Sequence, residues 1–269
     1  LGDCEIKGLD FEPHDQPQAY QECVRFIKND PLSLGALVTT HKIDLLTACK
    51  EQFDWLDPNA QLMGEISCIS KLENKLIGHA KDPISSGLAM DAFIPENHWL
   101  NSGGEVMSMG AGGSTIAITS YLVESKHENN LPSKIVVTNR SQPRLDEIKC
   151  IHSLMKMPVP VEYHLCPHPK DNDAVAAVLK PHSLVINATG LGKDVPGSPF
   201  TNQVQFPENG LVWELNYRGD LVFLDQAENQ KRSKNLLVED GWTYFIHGWT
   251  QVIAEVFHIE IPTQGAKFN

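Results

Sequence analysis

A glycine-rich turn in the middle of the chain has the residue types that hold a phosphate group. Gly110 and Gly112 lie in GAGGS (110–114), which follows the apolar run EVMSM (105–109). Glycine lets a backbone turn tightly and approach an anion closely, and the first N–H groups of a following helix point at that anion. A segment with an apolar helical face comes next. This context of strand, turn and helix predicts a dinucleotide-binding site.

The next apolar run, KIVVT (134–138), ends in Asn139, Arg140 and Ser141. An NAD-specific protein places an acidic residue there, which accepts a hydrogen bond from the ribose 2′-hydroxyl. Arg140 can instead form charge-assisted bonds with a 2′-phosphate, and Arg144 is close enough in sequence to reach the same group. The pattern therefore favours NADP over NAD. The alternative is that both arginines are solvated surface charges.

Two further residues have the chemistry and position of proton-transfer groups. Lys42 closes VTTHK (38–42), where a strand end meets a helix start. The positive end of that helix is expected to lower the pKa of the lysine towards a range useful for proton transfer. Asp82 closes GHAKD (78–82) in a similar context. The alternatives are an ordinary surface lysine and an aspartate that caps a helix before Pro83.

The composition is that of a globular protein that binds neither nucleic acid nor membrane. The chain has 269 residues, of which 41% are hydrophobic, and a net charge of -12, which disfavours polyanionic partners. No apolar run approaches the roughly 18 residues of a membrane span. The six cysteines lack metal-ligand or disulfide spacing, so we expect reduced thiols, a cytoplasmic protein and no metal. The expected partner is a small molecule, with a monomer or homodimer as the assembly.

Periodicity divides the chain into two systems of alternating strands and helices, which predicts an α/β protein of two domains. The first system has strand patterns at 5–11 and 34–40, a hairpin over 66–80 and helices before and after it. The second has strands near 105–109, 134–138, 160–165, 183–187 and 210–215, which predict a Rossmann-type doubly wound parallel sheet. A helical stripe over 243–258 closes the chain. The predicted domains are 102–240, which binds NADP, and 1–101 plus 241–269, which binds substrate, with a cleft between them.

Eight short motifs, in order along the chain, resemble the shikimate dehydrogenase family. That family has the order VTxPxK, GAxNT, GxNTD, GxGG, NRT, INAT, a DxxY strand and a closing helix with Gln. The corresponding stretches here are VTTHK (38–42), GEISC (64–68), GHAKD (78–82), GAGGS (110–114), NRS (139–141), INATGLG (186–192), WELNY (213–217) and HGWTQ (247–251). The order and approximate spacing hold over almost the whole chain.

The resemblance implies an enzyme that moves a hydride between NADP and a ring carbon that bears a hydroxyl or ketone. It implies that Lys42 transfers the proton and that Asp82 binds and orients the same oxygen. It implies that Thr39 or Thr40 binds a substrate hydroxyl and that Tyr217 lies near the nicotinamide and the substrate. Ser67, His247 and Gln251 are the other candidate substrate-binding residues, in motifs that differ from the family pattern. Together with the turn and strand-end patterns, the resemblance gives a cofactor site of Gly110, Ala111, Gly112, Gly113, Ser114, Asn139, Arg140, Ser141, Arg144, Asn187, Ala188, Thr189 and Gly190. Taken singly, Asn187 is an ordinary strand-end turn residue and Tyr217 a core aromatic.

The sequence departs from the family in the part that would choose the substrate. VTTHK is one residue short and lacks the proline, Ser67 replaces an asparagine, and Gly248 stands at the glutamine position. The family's N-terminal strand with paired serines is absent from the sequence as given. His79, Lys81 and His247 are new candidates for a rebuilt pocket, although we expect Lys81 to point to solvent and His247 is as well explained as a core histidine.

The expected function is therefore an NADP-dependent oxidoreductase of the shikimate dehydrogenase type. Its substrate would be shikimate or a relative such as quinate or an aminocyclitol. One alternative is a catalytically silent NADP-binding sensor or scaffold, which the altered substrate motifs favour and the presence of both Lys42 and Asp82 disfavours. Another is a two-domain NADP dehydrogenase of the methylenetetrahydrofolate type, whose motif order fits less well.

Overall fold

The structure is a computed structural model that describes residues 2–12, 14–124, 127, 129–193 and 195–265. It divides into two compact units, one of Leu1–Ser85 with His247–Asn269 and the other of Ser86–Ile246. Two helices run across these limits, which lie inside α4 (Asp82–Phe93) and α10 (Trp242–Phe257). The domain limits near 101 and 241 stay a prediction, and residues 1, 13 and 266–269 of the predicted first domain lie outside the described residues.

The first unit is built on a small mixed sheet. Its elements are α1 (Pro17–Asn29), β1 (Gly35–Leu37), α2 (Lys42–Cys49), β2 (Trp55–Leu56), α3 (Pro58–Met63), β3 (Cys68–Leu72) and β4 (Lys75–His79). The strands lie in the order β1-β3-β4-β2, and β3 pairs antiparallel with both β1 and β4. The β3–β4 turn places Glu73 and Asn74 at positive φ, as a two-residue hairpin turn requires. This confirms the predicted hairpin.

The predicted strand at residues 5–11 is wrong. All of these residues are described, and they form neither strand nor helix. Alternation of apolar and polar residues makes a strand only where a neighbouring strand supplies hydrogen-bond partners and a core face to bury. Most of residues 2–12 are exposed, so this segment has no such face.

The second unit is a six-stranded sheet with helices between the strands. Its elements are α5 (His98–Ser102), β5 (Val106–Met109), α6 (Gly113–Leu122), β6 (Ile135–Asn139), α7 (Gln142–Met155), β7 (Val161–Leu165), α8 (Pro169–Ala176), β8 (Leu184–Asn187), β9 (Leu211–Glu214), α9 (Val222–Lys234) and β10 (Leu237–Glu239). All five strand pairs are parallel, in the order β10-β9-β8-β5-β6-β7. Counted within the unit, this is the 3-2-1-4-5-6 order of the Rossmann fold, which confirms the predicted class.

The strands of the second unit could be predicted from the sequence because they are buried in its core. All four residues of β5, of β8 and of β9 are buried. A parallel sheet that is covered on both faces produces continuous apolar runs. Three aromatic rings, Phe200, Phe206 and Phe223, lie 5.7 to 5.8 Å apart on one side and help to close that core.

A buried histidine ties α6 and α7 to β7 within the second unit. His152 is 2% exposed. Its Nε2 lies 2.9 Å from Oγ1 of Thr119, and its Nδ1 lies 2.8 Å from the hydroxyl of Tyr163. A neutral imidazole satisfies both contacts with one donor and one acceptor. Burial lowers the pKa of His152 to about 4.

This histidine predicts that acid destabilises the second unit. The unfolded chain binds the proton below a pKa of about 6.5, whereas folded His152 stays neutral until about pH 4. Its stabilising contribution is complete above the unfolded value and is lost as pH falls towards the folded one. When the pH falls from 7 to 5, we expect the protonation of His152 in the unfolded chain to lower the free energy of unfolding by about 2 kcal/mol. Denaturant unfolding should show that the free energy of unfolding differs less between pH 7 and pH 5 in His152→Gln than in the wild type. An equal difference in the two proteins would contradict this assignment.

Candidate functional site

The first unit brings Lys42 and Asp82 into direct contact. Lys42 is the first residue of α2 and Asp82 the first of α4, and Nζ of Lys42 donates a hydrogen bond to the carboxylate of Asp82. The side chains are 23% and 13% exposed, so each charge is largely removed from water. A charged pair of this kind, partly open to solvent, can exchange a proton with a bound hydroxyl group.

Backbone hydrogen bonds beyond the ends of the strands position this pair. The N–H of Val38 donates to the carbonyl of Ser67 at 2.9 Å, and the N–H of Ser67 donates to the carbonyl of His79 at 2.9 Å. The ladder of β1, β3 and β4 thus continues past its last paired residues. Because Lys42 follows the first of these segments and Asp82 the last, the sheet itself brings them together.

A third ionisable group, Glu65, acts on this pair and was not among the predicted site residues. Glu65 is 3% exposed and lies between α3 and β3. Burial raises the pKa of Glu65 to about 7, the positive charge of Lys42 opposes that rise, and the negative charge of Asp82 adds to it. The available signal was an acidic residue between the helix-ending Gly64 and the buried Ile66.

The pKa of Lys42 differs from the expectation in direction. Burial alone lowers the pKa of Lys42, but the charges of Asp82 and Glu65 and the hydrogen bond to Asp82 raise it above the ordinary lysine value. The predicted lowering by the helix end is wrong because a helix terminus carries only about half an elementary charge, whereas each carboxylate carries a full one.

The residues before Asp82 form a buried ionic network. The amine of Lys81 donates to the carboxylate of Glu255 in α10, and Lys81 is 9% exposed. Nε2 of His79 lies 3.4 Å from Oε1 of Glu255 and 2.9 Å from Oγ of Ser70. Burial is the largest cause of the lowered pKa of His79. The expectation that Lys81 points to solvent is therefore wrong.

The predicted substrate-binding residues have different surroundings. Thr39 and Thr40 are exposed between β1 and α2, with their hydroxyl oxygens 3.2 Å apart. Ser67 is buried, and its Oγ accepts the N–H of Lys81 at 2.8 Å. Tyr217, which follows β9, stacks on Phe245 with ring centroids 4.1 Å apart. In α10, His247 is buried and Gln251 is partly exposed.

The glycine turn of the second unit lies at the carboxyl edge of the parallel sheet. Met109 pairs with Thr138 of β6 on one side and with Asn187 of β8 on the other. Gly110 has φ +109°, and a Cβ added to it would lie 2.5 Å from the carbonyl oxygen of Ala188. The turn is therefore specific to glycine, and it lies where the strand order reverses, which is where open α/β sheets bind ligands.

The helix after this turn can hold an anion. Gly112 precedes α6 without a side-chain cap, and the carbonyl of Gly112 accepts from Ile116. The first-turn N–H groups of a helix have no partner within that helix, and those of α6 belong to Gly113, Ser114 and Thr115. Ala111 is buried beneath the turn, whereas Gly112 is exposed. A pyrophosphate fits this arrangement because no side chain of residues 110, 112 and 113 projects over the N–H groups.

The strand-end residues beside the turn have two kinds of role. Oδ1 of Asn139 accepts the N–H of Ser141 at 2.8 Å and shapes the turn into α7. Arg140 is exposed beside it. Arg144 is also exposed, and its guanidinium donates to Glu147 at 2.7 Å. Arg140 therefore presents its charge at the strand end, whereas the charge of Arg144 is partly offset by a neighbour.

A buried acid organises the loop after β8. Asn187 donates to Glu214 at 2.7 Å, and its Oδ1 accepts from the N–H and the hydroxyl of Thr189 at 3.1 and 2.7 Å. Glu214 is 0% exposed, and burial raises its pKa to about 7. Asn187 therefore shapes the loop, while Thr189 and Gly190 are exposed along it and Ala188 is partly exposed. The sequence analysis did not identify Glu214 as part of this arrangement.

Curated proteins of known activity resemble this chain over part of their length. A shikimate dehydrogenase (NADP(+)) from Streptococcus thermophilus is 26% identical over 184 residues, which cover 66% of this chain and 58% of the relative. Four curated shikimate dehydrogenases are 24% to 27% identical to this chain over the matched residues. The alignments span 58% to 63% of the length of these curated shikimate dehydrogenases. No family model matches the chain.

Solved structures of shikimate and quinate dehydrogenases share the fold. The quinate dehydrogenase from Corynebacterium glutamicum in complex with NAD has a TM-score of 0.69 at 19% identity, and the match covers 93% of this chain and 79% of that one. Shikimate 5-dehydrogenase from Thermus thermophilus in complex with NADP(H) and shikimate has a TM-score of 0.66 at 22% identity, with coverage of 96% and 83%. At these identities the likeness concerns the fold.

The described residues contain neither a membrane-spanning helix nor a metal-binding cluster. None of their helices is both long and apolar enough to cross a membrane. Within the same ranges, no group of three or more His, Cys, Asp or Glu side chains is arranged to hold a metal ion.

The geometry of the turn predicts that neighbouring glycines differ in their tolerance of a side chain. Gly110→Ala places a Cβ against the carbonyl of Ala188 at positive φ, whereas Gly112 has φ -101° and nothing within 4 Å of an added Cβ. We expect Gly110→Ala to lower the free energy of unfolding by about 2 kcal/mol and Gly112→Ala by less than about 1 kcal/mol. Thermal and denaturant unfolding of both variants checks this. Equal losses would show that the close approach of residues 110 and 188 does not matter.

Proposed function

We propose that the protein is an NADP-dependent oxidoreductase of the shikimate dehydrogenase type. Its substrate would be a cyclic hydroxy acid or polyol, either shikimate with 3-dehydroshikimate or a relative such as quinate. The contact between Lys42 and Asp82 carries this proposal, since residues 40 positions apart in sequence form one largely buried pair. Curated relatives named shikimate dehydrogenase (NADP(+)) support it.

The second unit would hold NADP at the carboxyl edge of its sheet. The pyrophosphate would bind the N–H groups at the start of α6, with Gly110 allowing the backbone to approach. Arg140 would bind the 2′-phosphate, and the loop shaped by Asn187 would border the cofactor. Bound NADP supplies or accepts the hydride. The exposed position of Arg140 at the end of β6 is what favours NADP over NAD in this proposal.

The first unit would bind the reacting oxygen of the substrate. Lys42 would give its proton to that oxygen as a carbonyl is reduced, or accept the hydroxyl proton as an alcohol is oxidised. Asp82 would orient the amine of Lys42 through their hydrogen bond, and it would also accept a hydrogen bond from the reacting hydroxyl. The exposed Thr39 and Thr40 would bind other substrate hydroxyls. In the proposed reaction, the carbon bearing the oxygen must also meet the nicotinamide.

A catalytically silent NADP-binding sensor is the second candidate. The observation that favours it is that two residues at substrate-motif positions are bonded within the protein. Oγ of Ser67 accepts the N–H of Lys81, and the amine of Lys81 pairs with Glu255. Such a protein would bind NADP without turnover.

The cellular setting is part of the same proposal. All six cysteines are free thiols, which supports a reducing compartment and hence the cytoplasm. The expected small-molecule partner agrees with the net charge of -12, which disfavours nucleic acid.

Loss of the Lys42 amine should abolish turnover while leaving NADP binding intact. In Lys42→Met we expect kcat to fall by about 10²- to 10⁴-fold, since this removes the proton-transfer group. Reduction of NADP would be followed with shikimate, quinate and an aminocyclitol. The matched control is Lys50→Met, because Lys50 is exposed just beyond α2.

Three outcomes of that experiment are informative. Unchanged kcat in Lys42→Met would contradict the mechanism. Turnover by the wild type that is lost only in Lys42→Met would support it. Tight NADP binding by the wild type, with no turnover on any of the substrates, would favour the sensor.

Removal of the Arg140 guanidinium should change the choice of cofactor. A lost charge-assisted hydrogen bond is worth about 1.5 to 3 kcal/mol, so we expect Arg140→Ala to weaken NADP binding about 10- to 100-fold while NAD binding changes little. Arg144→Ala is the matched control, with a smaller effect expected because Arg144 bonds Glu147. Calorimetric titration with both cofactors measures the preference. If Arg140→Ala keeps it, residue 140 does not read the 2′-phosphate.

A further inference from the structure

Glu65 is a buried carboxyl group whose presence the Lys42–Asp82 pair does not by itself require. It is 3% exposed, and its Oε1 accepts no hydrogen bond within the part of the chain that the structure describes. Burying a carboxyl group without a hydrogen-bond partner is costly. A neighbouring positive charge can offset that cost, so the cation that acts on Glu65 must be identified.

The backbone places Glu65 beside the first residue of α2. The N–H of Ile66 donates to the carbonyl of Lys42 at 3.3 Å, which ties the segment after α3 to the helix start. Gly64 ends α3 in the left-handed conformation, with φ +65°, and turns the chain towards that contact. The placement of Glu65 is therefore set by backbone geometry on both sides.

The charges that act on Glu65 come from α2 and α4. They are the ammonium of Lys42 and the carboxylate of Asp82. The nearby ionic network of His79, Lys81 and Glu255 acts chiefly within itself, with His258 and Asp57 contributing. Lys42 is thus a single cation shared by two carboxyl groups.

We propose that Glu65 is a positioning residue that holds Lys42 as an ammonium and so sets the pH above which Lys42 can accept a proton from a substrate hydroxyl. This inference rests on the proposed dehydrogenase function. Reduction of a carbonyl needs the ammonium, which the carboxylate of Asp82 keeps in place, with Glu65 adding its charge as pH rises above about 7. Oxidation of the alcohol needs the neutral amine, so its rate rises only as the solution becomes alkaline.

The sign of the effect follows from the order of the two titrations. Lys42 loses its proton above the ordinary lysine pKa, whereas burial places the pKa of Glu65 at about 7. Glu65 is therefore ionised throughout the range in which Lys42 deprotonates. An anion beside an amine favours its protonated form, so removing that anion lowers the pKa of Lys42.

Glu65→Gln tests this with little change of shape. A nearby opposite charge shifts a pKa by at least about one unit, so we expect Lys42 of the variant to react with acetic anhydride about tenfold faster at pH 9, as measured by peptide mass spectrometry. The pH profile of alcohol oxidation should move down by about one unit, with little change in NADP binding. Glu65→Ala is the second variant, to be used if the glutamine variant does not fold.

The matched control is Glu73→Gln. Glu73 is exposed in the turn at the far end of β3 from Glu65, so the same loss of charge occurs away from Lys42. We expect its Lys42 reactivity and pH profile to equal those of the wild type.

The labelling and the turnover measurements separate two kinds of failure. Unchanged labelling of Lys42 in the folded Glu65 variants would overturn the role of Glu65, whatever the enzyme does. Faster labelling without turnover of any substrate by the wild type would support the electrostatic role of Glu65 and would contradict the proposed dehydrogenase.

Discussion

The first unit is organised by the need to pair a largely buried cation. An uncompensated ammonium in a protein interior costs several kcal/mol, and the side chain of Lys42 is only 23% exposed. The pairing is possible because the ladder of β1, β3 and β4 extends through residues 38, 67 and 79 before the chain enters α4. Three short connections, which contribute Lys42, Glu65 and Asp82, must then end close together. The local sheet geometry and the electrostatics of the site are thus one constraint.

The second unit also buries a carboxyl group, and it satisfies that group with neutral hydrogen-bond donors and not with a cation. Glu214 is fully buried at the end of β9, where it accepts from the side chain of Asn187 and the N–H of Asn216. The amide nitrogen and the amide oxygen of Asn187 both form hydrogen bonds within the protein, so Asn187 fixes the loop beside the glycine turn. Hydrogen-bonded buried acids of this kind add rigidity where the proposed cofactor requires a preformed edge.

The sequence predicted most of the fold because the second unit has buried parallel strands. Its apolar runs and the turn at Gly110 follow from backbone geometry, which leaves a pattern in the residues themselves. β2 and β10, of two and three residues, escaped prediction because neither lies in a longer strand-like run such as the one at 34–40 that contains the equally short β1. Lys42 and Asp82, which the sequence singled out, lie in contact, but the pKa of Lys42 was predicted in the wrong direction. That error arose because the prediction weighed the helix terminus and not the charge of Asp82, which opposes it most strongly and to which the charge of Glu65 adds.

The two units also differ in how freely their sequences can change. At Gly110 the backbone of residue 188 leaves no room for a side chain, so the turn permits few alternatives. At residues 79–81 the interactions are between side chains, and one change can be offset by another. Lys81 pairs with Glu255, which in turn lies near His79, so a change at one of these positions alters the partners of the others. Thr39 and Thr40 are exposed and Lys42 and Gln251 are partly exposed, so in the proposed dehydrogenase these polar groups can meet a substrate without breaking those interactions.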